Sequence, residues 1–338
     1  MRYIGNKTRL LPFIVRTVGR LGIGGGTIHD AFAGTASVGQ AFRQRGWRVH
    51  TSDILASSYV FQQAYVVADR SGTDLDARAL DLTRADPRVS FISRHFSPLG
   101  GRMFFTEENA ARIDAARELL ESWRNKGEVS GQSYYLLLAA VIEGTDRVAN
   151  TAGVYASFMK GWQVNARRTF RVVIEQPAGG ALPATAHLMD AAAAAAIIGD
   201  ADLIYIDPPY NSRQYVAYYH IPEILARGWF DREPAVRGKV GLLAGPEGRS
   251  DWSHGRRVKR LFSGLLSATG AKHALVSFGS EGHLSADALT ETLLSHSVDG
   301  KVSRFAQRYR RYRADGARTG KTYHADAVTE QLFHIRLR

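Results

Sequence analysis

Residues 27–53 read TIHDAFAGTASVGQAFRQRGWRVHTSD and contain two apolar runs on either side of a glycine turn and a helical pattern. The first run, Thr27–Phe32, predicts a strand. Ser37–Arg45 then has the apolar spacing of a helix, and Arg48–Ser52 predicts a second strand with Asp53 directly after it. Strand, turn, helix and strand in this order form a βαβ unit, which implies a parallel sheet and a right-handed crossover.

Strand patterns return beyond residue 200. Ala201–Ile206 and Ala274–Phe278 are apolar runs that predict two more buried strands. Phe305–Arg313 and Ala327–Arg336 predict an antiparallel pair at the sheet edge, and the alanine run Ala191–Ala196 predicts a helix. The predicted fold class is therefore α/β, with a Rossmann-like sheet and helices on both of its faces.

The middle of the chain follows a different pattern. Glu107–Arg124 and Ser133–Asn150 have the periodicity and composition of two helices. The following residues, 151–170, are rich in glycine, aromatic and basic residues and predict a loop or hairpin. We therefore expect a catalytic core over 1–70 and 171–338, interrupted by a helical and hairpin insertion over 71–170.

Composition narrows the function classes. The 338 residues contain no cysteine, which excludes disulfides, thiolate zinc sites, iron–sulfur clusters and thiolate nucleophiles. The formal net charge of +12 favours a polyanionic partner such as nucleic acid. Residues 301–338 hold ten basic and three acidic residues, so this tail carries most of the positive excess.

Targeting and metal-binding signals are missing from the sequence. It contains no uninterrupted apolar run of about 18 residues, and the start MRYIGNKTRL is too polar for a signal peptide. The eleven histidines show no ligand-like spacing, so no metal site is predicted. These observations predict a cytoplasmic protein that does not bind membranes.

The loop after the first predicted strand has the composition of a ligand site. Asp30–Gly39 reads DAFAGTASVG and would lie at the carboxyl edge of the sheet, where α/β proteins bind ligands. It is not a dinucleotide G-x-G-x-x-G fingerprint or a P-loop, because Ala36 replaces the second loop glycine and no Gly-Lys-Ser/Thr follows. A nucleoside ligand fits better, with Asp53 accepting hydrogen bonds from ribose hydroxyls.

A second and more specific motif follows the strand 201–206 without a spacer. This motif is Asp207-Pro208-Pro209-Tyr210. Two successive prolines lack N–H donors and end the strand, which leaves rigid carbonyl acceptors at its carboxyl end. A carboxylate, carbonyls and an aromatic ring can together hold a planar ring that bears an amino group.

Four motifs together resemble the Dam-like DNA adenine methylase family, which uses S-adenosylmethionine. Tyr3-Ile4-Gly5-Asn6-Lys7 resembles the N-terminal cofactor motif of the family, and Asp30–Gly39 resembles its D-x-F-x-G-x-G loop, with Asp53 as the ribose acid. Asp207–Tyr210 is similar to the catalytic motif, and Arg147–Tyr155 is similar to the DNA-contacting hairpin. The extension Asn211–Tyr215 is similar to the form found in modification enzymes of shifted-cleavage restriction systems.

The resemblance implies roles for individual residues. The catalytic residues would be Asp207, Pro208, Pro209 and Tyr210. S-adenosylmethionine would be bound by Tyr3, Asn6, Lys7, Asp30, Phe32, Gly34, Thr35, Ser37, Asp53, Ile54, Asp190 and Asp207. For Asp190, N-capping of the alanine-rich helix is an equally good interpretation. Combined with the basic patches, the resemblance assigns DNA contacts to Arg147, Asn150, Tyr155, Lys160, Arg167, Arg168, Arg213, Arg308, Arg310 and Arg311.

The motif indicates how such an enzyme would act. The exocyclic amine of adenine is a poor nucleophile because its lone pair is delocalised into the ring. Hydrogen bonds to the Asp207 carboxylate and the Pro208 carbonyl would hold the amine in position and stabilise the positive charge that develops on it. The target base must be extruded from the duplex, and Tyr210 would stack on it.

The sequence only partly decides which atom of a base is methylated and which partners the protein has. Methylation of cytosine at C5 is excluded because it needs a thiolate. The resemblance implies adenine N6, because Asp at the first motif position is typical of adenine methylases in such families, and cytosine N4 is the alternative. An RNA amino-methyltransferase and a non-catalytic DNA-binding protein also stay open. Double-stranded DNA is the expected partner, a cognate restriction endonuclease is a second candidate, and nucleoid association follows from a DNA substrate.

Overall fold

The computed structural model describes residues 3–69, 74–129, 131–209, 212–279, 284–310 and 327–338. The strands are β1 (Thr27–Asp30), β2 (Arg48–Asp53), β3 (Ala184–Leu188), β4 (Asp200–Ile206), β5 (Val236–Arg237), β6 (Leu242–Leu243), β7 (Gly270–Gly279), β8 (Ser303–Arg310) and β9 (Ala327–Arg336). The helices are α1 (Leu11–Arg20), α2 (Ser37–Arg43), α3 (Ala56–Gln62), α4 (Leu75–Arg84), α5 (Phe91–Phe96), α6 (Glu107–Asn125), α7 (Gly131–Arg147), α8 (Ala191–Ile198), α9 (Tyr215–Tyr218), α10 (His220–Arg227), α11 (Gly255–Ala268) and α12 (Ala286–Leu294).

Seven strands form one mostly parallel sheet in the order β3-β2-β1-β4-β7-β9-β8. The predicted βαβ unit is confirmed, since β1 and β2 pair in parallel and α2 lies between them in sequence. The predicted C-terminal pair is also confirmed within the described residues. Strand β9 runs antiparallel to both β7 and β8, and β8 is the edge strand. The fold class is therefore α/β, with helices flanking the sheet, as predicted.

Burial on both faces explains why the central stretches Leu203–Ile206 of β4 and Ala274–Val276 of β7 are apolar. Ile204 and Val276 belong to an apolar core that α8, α11 and α12 share with the sheet. Leu203 and Leu275 alternate with them along the strands and are also fully buried. Strands covered on both faces read as continuous apolar runs, which is the pattern that predicted them.

The chain divides into two compact units. A helical unit contains residues 1–6, 55–179 and 215–248, and a sheet unit contains residues 7–54, 180–214 and 249–338. The helical unit is larger than the predicted insertion 71–170. One reason is the buried Glu223 of α10, which accepts hydrogen bonds from the backbone N–H groups of Ala56 and Ser57, each at 2.9 Å. This carboxylate satisfies the first turn of α3 and ties two distant segments together.

The two predicted helices of the middle region are confirmed. Thr106 caps α6 by accepting a hydrogen bond from the Asn109 N–H, and α7 ends at Arg147 instead of the predicted Asn150. Although α7 is buried along most of its length, no helix among the described residues is long and apolar enough to cross a membrane.

Residues 151–170 form a loop with one short 3₁₀ turn, so the prediction of a loop is confirmed and its hairpin alternative is wrong. The Asn150 side chain explains the difference. Its amide donates to the carbonyls of Met103 at 3.0 Å and Met159 at 3.1 Å, and its oxygen accepts from the Gln163 N–H at 3.0 Å. These bonds organise the loop through one side chain, where a hairpin would pair two strands.

Candidate active site

Four acidic residues lie at one edge of the sheet unit, three of them at the carboxyl ends of parallel strands. Asp30 ends β1, Asp53 ends β2 and Asp207 directly follows β4. Glu330 belongs to the antiparallel strand β9, where it lies opposite Gly279 at the end of β7. Glu330 lies at this same edge because β9 runs antiparallel to β7.

The catalytic motif lies at this edge as far as the structure describes it. Asp207 has 13 % of its side chain exposed, and Pro208 behind it is buried. Lys7 Nζ lies 3.0 Å from Asp207 Oδ1. Tyr210, predicted to stack on the base, lies outside the described residues.

Lys7 binds a second carboxylate that sequence reasoning missed. Its Nζ lies 3.1 Å from Glu330 Oε1, and the same oxygen accepts a 2.6 Å hydrogen bond from the Ser277 hydroxyl. Burial by itself lowers the pKa of Lys7, but the attraction of Asp207 and Glu330 outweighs it and raises the pKa above its usual value. The ammonium therefore stays charged although the residue is buried. A lone glutamate in the apolar run of β9 was the signal that could have drawn attention to Glu330.

The glycine loop is held by the two acidic residues next to it. Asp30 Oδ2 accepts from the Gly39 N–H at 3.1 Å, and Asp53 Oδ2 accepts from the Gly34 N–H at 3.0 Å. Ala36, which stands where the family pattern has glycine, is in the left-handed region with φ 62° and ψ 22°. The loop therefore keeps the backbone shape that glycine favours, at a conformational cost of about 1 kcal/mol for alanine.

Acidic side chains outnumber basic ones at this edge among the described residues. Burial raises the pKa of Asp30 to about 8, the Gly39 N–H opposes the shift, and the charges of Asp207 and Asp53 add to it. Lys7 is the buried cation of this cluster. This donor set fits S-adenosylmethionine, because that cofactor combines ribose hydroxyls, which carboxylates bind, with a positive sulfonium and a positive ammonium group.

Other predicted cofactor residues lie on the same loop or strand ends. Phe32 is half-buried and meets Trp252 edge-on, with ring centroids 5.0 Å apart. Thr35, Ser37 and Ile54 are also half-buried. Their binding roles stay predictions.

Asp190 has a structural role that the sequence had left open. Its Oδ1 accepts from the Ala192 N–H at 2.8 Å and from the Ala193 N–H at 3.4 Å, so it caps α8. The side chain is exposed. The N-capping interpretation of this residue is therefore confirmed.

The N-terminal motif is divided between the two units. Tyr3 and Asn6 belong to the helical unit, whereas Lys7 belongs to the sheet unit. Within the helical unit, Tyr3 stacks on Tyr219 with centroids 4.4 Å apart, and the Tyr219 hydroxyl accepts from the Ile4 N–H at 2.6 Å. Cofactor binding by Tyr3 and Asn6 stays a prediction.

Two predicted DNA contacts are buried. Asn150 is fully buried, and its side-chain amide forms the hydrogen bonds that hold the loop 151–170. Tyr155 is 1 % exposed, and its hydroxyl donates to Asp146 Oδ1 at 3.4 Å. Both side chains are buried, and their polar groups form hydrogen bonds inside the helical unit. They are therefore not exposed on the surface where DNA would bind.

The basic residues predicted to contact DNA have different surroundings. Lys160, Arg167 and Arg168 are exposed on the loop 151–170. Arg147 is exposed but pairs with Glu175 at 3.0 Å. In the sheet unit the exposed residues are Arg213 and Arg308, Arg310 closes β8, and Arg311 lies outside the described residues.

The segment after the catalytic motif is fastened by a reciprocal pair of hydrogen bonds. Gln214 Nε2 donates to the Ser250 carbonyl at 3.0 Å, and the Ser250 N–H donates back to Gln214 Oε1 at 2.8 Å. The Ser253 hydroxyl also donates to the Arg213 carbonyl at 2.9 Å. Sequence reasoning missed this contact because its partners are 36 residues or more apart.

Comparisons with known proteins identify a family and several relatives of this chain. The model of the D12 class N6 adenine-specific DNA methyltransferase family matches residues 3–241. The chain is 31% identical to the type II methyltransferase M.NlaIII of Neisseria lactamica, over 99% of this chain and 98% of that protein. It is 29% identical to the modification methylase StsI of Streptococcus sanguinis and 28% identical to the type II methyltransferase M.FokI of Planomicrobium okeanokoites, over 99% of this chain in both cases.

The coverage of these relatives differs. The chain spans about half of StsI and of M.FokI, 52% in each case. Among solved structures, magnesium protoporphyrin IX methyltransferase of Synechocystis overlaps with a TM-score of 0.32 and 11% identity, over 97% of this chain and 79% of that chain.

The resemblance inferred from the four motifs is thereby confirmed, together with S-adenosylmethionine as the cofactor and adenine N6 as the atom that is methylated. The chain belongs to the D12 class N6 adenine-specific DNA methyltransferase family.

Proposed function

We propose that this chain methylates one adenine in a specific site of duplex DNA after extruding that base from the helix. The observation that carries this proposal is Asp207, a carboxylate at the carboxyl edge of the sheet, followed by a buried proline and held by Lys7 at 3.0 Å. Base extrusion is required because the exocyclic amine of a stacked, paired adenine cannot be reached inside the duplex.

Asp207 and the backbone carbonyl of Pro208 orient the amine. Each accepts one N–H, which turns the nitrogen lone pair out of the plane of the ring. When the amine attacks, it gains positive charge, and the carboxylate stabilises that charge with little rearrangement because Lys7 already holds it in position. Tyr210, which lies outside the described residues, is proposed to stack on the extruded ring.

The residues that would hold the cofactor are those of the glycine loop and its flanking acids. Asp53 would accept hydrogen bonds from the ribose hydroxyls, and the loop from Asp30 to Ser37 would bind the nucleoside. When bound, S-adenosylmethionine supplies an electrophilic methyl group. The negative charge of Asp53 at this edge would favour a ligand that brings positive charge.

The exposed basic residues of the loop 151–170 are proposed to contact DNA phosphates. Lys160, Arg167 and Arg168 project from a loop that Asn150 holds in place. Phosphate contacts of this kind supply affinity and position the duplex without reading its sequence.

The substitution Asp207→Ala tests the catalytic proposal. We expect it to abolish methyl transfer while calorimetry shows S-adenosylmethionine binding close to that of the unchanged protein. Folding should survive, because Lys7 keeps Glu330 as its partner. Arg88→Gln, a change in an exposed ion pair with Glu118, is the control. Transfer by Asp207→Ala at the normal rate would contradict the mechanism.

Nucleoside mass spectrometry tests the base assignment. DNA from an expressing host should contain N6-methyladenine, and N4-methylcytosine would contradict the assignment. Competition between duplex DNA and structured RNA for the enzyme separates DNA from RNA as the substrate.

We also propose a modification role beside a cognate restriction endonuclease, which is supported by the type II and modification methylases among the relatives. In that role the protein would be cytoplasmic and associated with the nucleoid. Methylation-sensitive sequencing should find a single methylated motif in the host DNA, and methylation at unrelated adenines would contradict this role.

A further inference from the structure

The shared ion pair of Lys7 contains one residue that the methylation mechanism above does not use. We propose that Glu330 is a positioning residue for methyl transfer, which binds Lys7 and thereby keeps a net negative charge at Asp207; this inference rests on the proposed function.

The geometry makes Lys7 a bridge between two carboxylates. Its Nζ lies 3.0 Å from Asp207 Oδ1 and 3.1 Å from Glu330 Oε1. The side chains of Lys7 and Glu330 are 6 % and 3 % exposed, so little water screens their interaction. The Ser277 hydroxyl fixes Glu330 from the other side, at 2.6 Å.

The count of charges gives Glu330 its effect. Among the described residues, the two carboxylates of Asp207 and Glu330 and the one ammonium of Lys7 leave one net negative charge. If Glu330 were neutral, Lys7 would form a one-to-one ion pair with Asp207 and cancel its charge. The carboxylate would then be a weaker acceptor for an amine that gains positive charge during attack, and stabilisation of such charge is a large part of catalysis.

Glu330 acts through Lys7, because the Lys7 ammonium binds both Glu330 and Asp207. The Ser277 hydroxyl binds the same Glu330 oxygen as Lys7 does. Because Glu330 is buried, its pairing with Lys7 matters for the stability of the protein. A buried carboxylate is costly unless it is paired, and in the part of the chain that the structure describes Glu330 pairs with Lys7, which also binds Asp207. The same arrangement secures Lys7 in its charged form, in line with its raised pKa.

The test compares Glu330→Gln with the unchanged enzyme in single-turnover methylation of duplex DNA. Glutamine keeps the size and removes the charge. We expect kcat to fall roughly 10- to 100-fold, somewhat less than the loss of a direct catalytic hydrogen bond. KM for DNA and the calorimetric Kd for S-adenosylmethionine should change less than threefold, because Glu330 is proposed to contact neither ligand.

Two further variants separate charge from structure. Glu330→Asp keeps the charge and should recover at least part of the lost kcat. Asp202→Asn is the matched control, because Asp202 also binds a lysine of the sheet unit, Lys272 at 2.8 Å, but lies in the first half of β4. We expect its kcat to stay within twofold of the unchanged enzyme.

A double-mutant cycle with Lys7→Met tests whether the effect passes through Lys7. Adding Glu330→Gln to Lys7→Met should cost much less than Glu330→Gln alone, because the mediator is already gone. Equal costs in both backgrounds would overturn the proposal. So would normal kcat in Glu330→Gln, or a loss in KM alone. If Glu330→Gln does not fold in thermal melts, Glu330→Asp decides, and an equally large kcat loss there contradicts a charge effect.

Failure of the proposed function gives a different result. In that case the unchanged enzyme and all variants would leave DNA adenine unmethylated. If the unchanged enzyme is active and Glu330→Gln equals it, only the role of Glu330 is overturned.

Discussion

At the scale of single residues, Asp30 is the acid whose protonation should govern how stability changes with pH. Burial raises its pKa in the folded protein to about 8, whereas an unfolded aspartate titrates near its usual pKa of 3.8. Between these values the folded state binds more protons than the unfolded state, so the contribution of Asp30 to stability falls as pH rises from about 4 to about 8.

The substitution Asp30→Asn should remove this penalty. In thermal melts without ligand, we expect the Tm difference between Asp30→Asn and the unchanged protein to shift in favour of the variant from pH 4 to pH 8 and to level off above that. Asparagine can still accept from the Gly39 N–H, which preserves the loop contact. A Tm difference that is constant from pH 5 to 9 would contradict the raised pKa.

Asp202→Asn is the control with the opposite sign. The hydrogen bond from Lys272 and the Thr27 N–H lower the pKa of Asp202. Its stabilising contribution is present above the unfolded pKa and is lost as pH falls through the folded value. The variant should therefore be less stable than the unchanged protein at neutral pH, and the difference should shrink in acid.

At the scale of elements, the loop 151–170 depends on Asn150. The predicted hairpin failed because glycine and aromatic content indicates irregular backbone without saying which groups satisfy it. In the folded chain one buried amide satisfies two carbonyls and one N–H from three separate positions. Local sequence patterns cannot show such contacts, since Met103 lies 47 residues away.

Asn150→Ala should therefore destabilise the protein. Leaving buried carbonyls without a donor costs about 1–3 kcal/mol, so we expect a loss of that size in urea unfolding. Lys160→Ala, an exposed change on the same loop, should stay within about 0.5 kcal/mol of the unchanged protein. An Asn150→Ala variant of unchanged stability with weakened DNA binding would restore the interpretation of Asn150 as a DNA contact.

At the scale of the whole molecule, the net charge of +12 should appear as salt-dependent DNA binding. Replacing Lys160, Arg167 and Arg168 together by glutamine should reduce the slope of log K against log salt by up to about 0.9 for each lost phosphate contact. Fluorescence anisotropy with duplex DNA measures this slope. Arg88→Gln is the control, because Arg88 is exposed but pairs with Glu118 at 3.2 Å. An equal change of slope in both variants would contradict a specific role for the loop.

The sequence by itself determined the parallel sheet, the order of the motifs and the chemistry of Asp207-Pro208-Pro209. Apolar periodicity and the effect of proline on its neighbours act over a few residues, so both are legible in the chain. It also indicated the family, because several motifs occur in one order.

Only the tertiary structure decided that Lys7, Asp207 and Glu330 form one cluster, that Asn150 and Tyr155 are buried, and that α10 joins the helical unit. Each of these depends on groups that are distant in sequence and meet only when strands and helices pack. Their charges and hydrogen bonds act over a few ångströms in space, and a linear pattern carries no record of which residues will be that close.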